Sequence, residues 1–78
     1  FYTYILRSKK DNRFYIGYTS SIVERVKLHN SKKVASTKNF VPWEIFHVEE
    51  FINEIDAIKG ESRIKSWKSR KAIEKLKF

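Results

Sequence analysis

Hydrophobic and polar positions change period along the chain, and the changes mark the elements. Residues 1–8 (FYTYILRS) are rich in β-branched and aromatic types. At a period of two they set Tyr2, Tyr4 and Leu6 on one face of a strand and Thr3, Ile5 and Arg7 on the other. Lys9-Lys10-Asp11-Asn12 is a polar turn, and residues 13–19 (RFYIGYT) read as a second strand. Two runs so close together predict an antiparallel hairpin, but the turn is neither Asn-Gly nor Asp-Gly, so register is left open. Ser21 and Glu24 fit a capping box, in which each side chain satisfies the other residue's backbone N–H. The helix it opens runs through Val26 and Leu28 to about Asn30.

Ser31 to Phe40 is polar and basic without periodicity and reads as a surface loop. Pro42 cannot donate to a sheet ladder, so it stands at the start of the next element, a third strand from Trp43 to Phe51. Asn53 is a good N-cap, with Asp56 three residues on. Ile55, Ala57, Ile58, Ile64 and Trp67 recur at helical spacing and predict an amphipathic helix over 54–68. Gly60 inside it costs roughly 1 kcal/mol relative to Ala, and a small residue there permits close packing. Ser69 opens a short third helix over 69–76 with Ala72, Ile73 and Leu76 as its apolar residues. The order is β-β-α-β-α-α, an α/β chain of the α+β kind, with no internal repeat or linker and one domain over residues 1–78.

Composition narrows what such a domain does. Seventeen Lys and Arg against nine Asp and Glu give a net charge of +8, which points to an anionic partner, nucleic acid ahead of an acidic membrane surface. With 41% hydrophobic and 15% aromatic residues the chain is no disordered basic tail. The absence of Cys excludes disulfides, thiolate zinc sites, iron–sulfur clusters and cysteine nucleophiles. Apolar runs of a few residues span no membrane. In so small a chain most of the aromatic residues belong to the core.

Several catalytic designs fall away. There is no Gly-x-Ser-x-Gly elbow, Gly17 stands outside any Gly-rich phosphate loop, and the two histidines have no zinc-ligand spacing. Glu49, Glu50, Glu54 and Asp56 are the densest acidic run, and read as a solvated strand end and first-turn helix charge before they read as a magnesium site. Glu61 borders the apolar face of its helix with Lys65 one turn on, which is either an i,i+4 ion pair or a carboxylate held at the core edge to ligate a metal. Arg25 and His29, also one turn apart, form either an exposed basic face or a phosphate fork beside a proton acceptor. Tyr4 and Tyr15 are either core packing or phenols that take a proton. The latter needs help, since a free phenol has a pKa near 10 and nearby cations or a metal would have to favour the phenolate. His47 has no assigned role.

Taken together, these residues resemble the GIY-YIG endonuclease superfamily. The resemblance rests on Tyr4 in the first strand, Tyr15-Ile16-Gly17 in the second, Arg25 and His29 on the first helix and Glu61 on a later one, at gaps of 11, 10 and 4 residues up to His29. Thr37-Lys38, Pro42-Trp43 and Ile64-Lys65-Ser66-Trp67 are similar to the small stand-alone bacterial branch. The first motif departs from the family in reading Thr3-Tyr4-Ile5, which affects backbone freedom before chemistry. Lys65 stands where some members place a late polar residue near the metal.

The resemblance implies a small three-stranded antiparallel sheet flanked by helices. It also implies a divalent-metal-dependent, cytoplasmic endonuclease that hydrolyses phosphodiester bonds in DNA with little intrinsic sequence specificity. Glu61 would ligate a single Mg²⁺ or Mn²⁺, Tyr4 would act as general base with relay through His29, Tyr15 would position the water or a phosphate oxygen, and Arg25 would neutralise charge at the scissile phosphate. Tyr4 and Tyr15 would then leave the core for a polar surface. Lys32, Lys33, Lys38, Lys65, Lys68, Arg70 and Lys71 would contact phosphates without reading sequence. The chain would act as a monomer or as a transient dimer on its substrate. The competing readings are a nucleic-acid-binding module that does not cut and a basic protein-interaction domain.

Overall fold

A computed structural model describes residues 1–77 and contains three strands and three helices in the expected order: β1 (Tyr2–Ser8), β2 (Phe14–Thr19), α1 (Ile22–Asn30), β3 (Trp43–Glu50), α2 (Glu54–Ser66) and α3 (Arg70–Glu74). One-turn 3₁₀ segments, Lys38–Phe40 and Lys75–Lys77, precede β3 and follow α3. The third helix is therefore shorter than 69–76, because its end tightens into the 3₁₀ turn. The sheet is antiparallel with order β2-β1-β3. It thus carries β1 in the centre, and β1 is correspondingly the most buried strand.

Register settles what the turn left open. Tyr4 pairs with Gly17 and Leu6 with Tyr15 across β1–β2. The β1–β3 ladder shifts between Ile5, which faces His47, and Leu6, which faces Ile45, so Phe46 falls in a bulge. That extra residue turns the Phe46 ring onto the Ile5 side of the sheet, where it joins Ile5, Ile64 and Ile73, with Phe14, Ile16, Trp67 and Leu76 around them. The other side is built on Tyr4, Leu6 and Trp43, covered by Ile22 and Val26 of α1 and by Phe40 and Val41.

The caps follow the sequence with one change. Asn53 Oδ1 accepts from Asp56 N at 2.9 Å and opens α2. Ser21 Oγ accepts from Glu24 N at 3.4 Å, but the Ser21 N–H donates to Thr19 Oγ1 at 3.1 Å, so Thr19 takes the place the capping box gave to the Glu24 carboxylate. Gly60 has a packing reason. A methyl group there would lie 2.6 Å from Thr3 Oγ1 and 3.0 Å from the Phe51 ring, so α2 sits against β1 at a distance that only glycine permits. Thr3 Oγ1 donates to Ala57 O at 2.6 Å across the same seam. Among the described residues no helix is long and apolar enough to cross a membrane.

Candidate active site

Three of the residues singled out from the sequence meet around one point on the α1 side of the sheet. Tyr4 projects from central β1 across Gly17 of β2. A methyl group at 17 would lie 2.6 Å from the Tyr4 hydroxyl oxygen, so Gly17 is the gap through which the phenol reaches. Its hydroxyl lies 3.2 Å from His29 Nε2, on the last turn of α1. The rings of Tyr15 and His29 are 4.7 Å apart, and those of Tyr4 and Tyr15 are 6.4 Å apart. Tyr4 and His29 are each 1% exposed, whereas Tyr15 is half-buried. This corrects the expectation that both tyrosines leave the core for a polar surface: Gly17 lets the Tyr4 ring lie flat on the sheet under α1, and Tyr15 alone keeps access to solvent.

Burial sets the proton affinities. The Tyr4 phenol is pushed up to about 12, first by burial and then by the neighbouring Tyr15, while Arg25 pulls the other way as a charge and a hydrogen-bond donor and Glu61 adds to the rise. Arg25 does favour the phenolate, as expected of a nearby cation, but desolvation outweighs it. His29 is held below the ordinary histidine value, by burial first and by Arg25 second, so it is a neutral imidazole at pH 7. The influence of Arg25 on both groups, and of Glu61 on Tyr4, puts these two charged residues beside the tyrosine.

Glu61 follows Gly60 on α2, and its side chain is 19% exposed. Its Oε2 lies 3.2 Å from Lys65 Nζ, so the i,i+4 pair is present. Among the described residues no group of three or more His, Cys, Asp and Glu is arranged to hold a metal. His29 has both ring nitrogens committed, to Tyr4 and to Thr37. What remains is one hard carboxylate, a donor set that suits Mg²⁺, which keeps several waters and completes its shell with substrate phosphate oxygens.

The basic residues divide. Lys32 and Lys38 line a cavity of about 760 Å³ together with Lys10, Asn39 and Val41, beside the Tyr4 cluster. Lys10 Nζ donates to Asn39 O at 3.2 Å. Lys10 was not among the expected phosphate contacts, since the sequence places it in an ordinary turn. Lys33, Lys68 and Lys71 are exposed. Arg70 is engaged with Glu74 at 3.3 Å and stacks over the Phe14 ring at 4.5 Å on the opposite side of the sheet. His47 Nε2 donates to Glu49 Oε2 at 3.0 Å, and Glu49 also pairs with Arg63.

One residue of the site had no chemical role in the sequence reading. Thr37, in the segment expected to be a surface loop, is 1% exposed, and its Oγ1 lies 2.9 Å from His29 Nδ1. Trp43 Nε1 donates to Thr37 O at 3.0 Å, while Asn30 Oδ1 accepts from Trp43 N at 2.6 Å and Asn30 Nδ2 donates to Trp43 O at 3.1 Å. A threonine in a polar run carries no local signal of this.

The chain is also similar to known proteins over nearly its whole length. The family model described as the GIY-YIG catalytic domain matches residues 1–76. The chain is 35% identical over 78 residues to a UPF0213 protein of Oceanobacillus iheyensis, covering 99% of this chain and 90% of the relative. It is 38% identical over 79 residues to a UPF0213 protein of Pediococcus pentosaceus, covering all of this chain and 79% of the relative, and 32% identical over 76 residues to one of Staphylococcus haemolyticus, covering 96% and 92%. No solved structure matches the chain.

Proposed function

The chain belongs to the GIY-YIG family, which implies endonuclease activity in general on a nucleic acid substrate, and from that premise we propose a divalent-metal-dependent endonuclease that hydrolyses phosphodiester bonds in DNA by a one-metal mechanism with little sequence specificity. The observation that carries this reading is the contact of the Tyr4 hydroxyl with His29 Nε2 at 3.2 Å, beside Arg25 and Glu61.

A phenol whose pKa is near 12 is almost wholly protonated at pH 7, so Tyr4 serves as a shuttle and not as a standing phenolate. As the attacking water gives its proton to the Tyr4 oxygen, the Tyr4 proton passes to His29 Nε2, and the hydroxide attacks phosphorus while the bond from phosphorus to the leaving strand's oxygen breaks and that oxygen takes a proton from solvent. His29, neutral at pH 7, has the capacity to receive it. Tyr15, half-buried beside both, orients the water or a phosphate oxygen. Arg25 offsets charge that develops on the phosphate oxygens. Glu61 would hold a single Mg²⁺ or Mn²⁺, with Lys65 beside it; a metal there would supply Lewis-acid stabilisation of the scissile phosphate and the leaving oxygen. Lys32, Lys38 and Lys10 offer non-specific phosphate contacts along the cavity they line, and Lys33, Lys68 and Lys71 extend the basic surface. The setting we propose is the bacterial cytoplasm, with nicking by a monomer and double-strand cuts by a transient dimer.

The test is a panel of single-stranded, branched and duplex DNA incubated with Mg²⁺ or Mn²⁺ and with EDTA. The expected result is metal-dependent nicking that Glu61→Ala reduces to the EDTA background while binding and fold persist. Glu61→Ala cutting as well as the parent sinks the site assignment. A parent that binds every substrate and cuts none supports the non-cleaving binding module instead.

A further inference from the structure

We propose that Thr37 is a positioning residue of this site: it accepts the His29 Nδ1 proton, fixes the imidazole as the Nδ1–H tautomer, and so keeps Nε2 open to receive the proton of Tyr4. The inference rests on the relay read above and extends it into the segment between α1 and β3, where only the lysines have been given a role.

The donor and acceptor inventory leads to it. Thr37 Oγ1 has one proton and faces two groups: His29 Nδ1 at 2.9 Å and the backbone carbonyl of Val34 at 3.4 Å. Val34 O already accepts from Thr37 N and Lys38 N at 3.1 and 3.0 Å, and a carbonyl only accepts, so it gives the Thr37 proton a place to go when Oγ1 accepts from His29 Nδ1–H. Nε2 then carries the lone pair. At its other end the ring meets the Tyr4 hydroxyl at 3.2 Å, and Tyr4 also feels Arg25 as a donor. Tyr4 is 1% exposed, and among the described residues His29 Nε2 is the acceptor the structure gives its phenol proton. Every proton of the three side chains has an acceptor in this direction. In the reverse direction Thr37 gives its proton to Nδ1, Tyr4 receives from Nε2–H, and the buried Tyr4 proton points at no acceptor among the described residues. That arrangement is costly for groups this deeply buried.

The same residue is rigidly held. Trp43 Nε1 donates to the Thr37 carbonyl, and Asn30, the residue after His29, clamps the Trp43 backbone through both of its amide atoms. The chain thus closes a loop from His29 through Asn30, Trp43 and Thr37 back to the imidazole. A histidine held by a partner at one nitrogen so that the other performs the proton transfer is a recurring requirement of such chemistry.

Two measurements test it. Long-range ¹H–¹⁵N correlation of the imidazole nitrogens, recorded above the ordinary histidine pKa of about 6.5 and assigned with a His47→Asn variant, reads the tautomer of the intact protein without any cleavage assay. The expected spectrum has His29 protonated at Nδ1; protonation at Nε2 overturns the proposal whether or not the protein cuts DNA. Thr37→Val, which keeps the shape and removes the acceptor, should abolish the fixed tautomer and lower kcat at least roughly tenfold, within the roughly 10²–10⁴-fold span of general acid–base catalysis, with little change in KM. Thr37→Ser should restore both. Parental kcat and an unchanged tautomer in Thr37→Val would overturn it, and if that variant does not fold, a Thr37→Ser protein that fails to keep the Nδ1–H tautomer does so instead. A parent without nuclease activity but with the predicted tautomer would sink the nuclease reading and leave the Thr37 contact standing.

Discussion

The two faces of the sheet are built on the same strand and do opposite work. On one, β1 contributes Ile5 to a cluster with Phe46, Ile64 and Ile73. On the other, one residue away in sequence, it contributes Tyr4, whose hydroxyl opens a buried polar chain through His29 to Thr37, each 1% exposed. Burying three polar groups costs free energy unless each finds its partner, and here each does. The pleat of a single strand thus sends the apolar packing of Ile5 and the Tyr4–His29 pair of the proposed chemistry to opposite faces, while Glu61 comes from α2, which also supplies Ile64 to the apolar cluster. The aliphatic side supplies burial that offsets what the polar side does not.

That division is open to a direct break. Tyr4→Phe keeps the ring and removes the hydroxyl; it should lower the cleavage rate by roughly 10²–10⁴-fold and leave His29 Nε2 unsatisfied at a cost of about 1–3 kcal/mol. Ile64→Ala, in the opposite cluster, should cost about 2–5 kcal/mol in urea unfolding, yet leave the cleavage rate per folded molecule at the parental value. Equal loss of cleavage in the two variants would mean the faces are not separable.

The sequence made the faces legible and the polar chain less so. Period-two alternation assigned Tyr4 and Ile5 to opposite sides, and helical spacing assigned Ile64 to the core, because both patterns are local. Register was not local: nothing in Lys9-Lys10-Asp11-Asn12 says that Tyr4 pairs with Gly17, and that pairing decides why the glycine is needed. The β3 bulge that swings Phe46 across the sheet was equally silent. Of the site, Tyr4, Tyr15, Arg25, His29 and Glu61 carried a family spacing, while the burial of Tyr4 and the role of Thr37 depend on a segment with no periodicity that tertiary hydrogen bonds tie to the core. Lys10 was hidden for the same reason: a turn lysine looks alike whether or not it lines a cavity.

Gly60 sharpens the comparison because it ties the structural face to Glu61. Gly60→Ala would push its methyl group against Thr3 Oγ1 and the Phe51 ring, and α2 must shift outward. The gain in helix propensity, roughly 1 kcal/mol, is set against an overpacking cost of about 1–3 kcal/mol. The expected outcome is a modestly less stable protein whose cleavage falls further than its folded fraction, because Glu61 moves with the helix. Thermal unfolding beside single-turnover cleavage checks it; cleavage that tracks the folded fraction alone would show that the position of Glu61 is insensitive to this seam.

The polar face should also respond to acid before the aliphatic face does. His29 is neutral because burial, then Arg25, holds it below the ordinary value, with Tyr4 and Tyr15 packed against it. A base whose folded pKa is depressed binds fewer protons than it does in the unfolded chain, so stability declines as pH drops below about 6.5 and the loss levels off below the folded value. Cleavage should hold until pH falls through that lower folded value and then decline by up to about tenfold per pH unit, since a protonated Nε2 accepts nothing from Tyr4. A cleavage profile with its acid limb at or above the ordinary histidine value would place the titrating acceptor elsewhere.

The smallest effect belongs to the ion pairs on the far side. Burial alone would raise the Glu49 carboxyl, but hydrogen bonds from His47 and Arg63 outweigh it and hold it below the usual carboxylate range. A carboxylate with a depressed folded pKa contributes stability that is present above its unfolded pKa of about 4.3 and lost as pH falls through the folded value. Half of the Arg63 side chain is exposed, so solvent screening keeps the contribution below about 1 kcal/mol. Glu49→Gln should therefore lower the urea midpoint slightly at pH 7, make no difference once the pH is below the folded pKa, and leave cleavage untouched. A loss of cleavage in Glu49→Gln at full stability would bring the His47–Glu49–Arg63 cluster into the function of the protein and end the separation of the two faces.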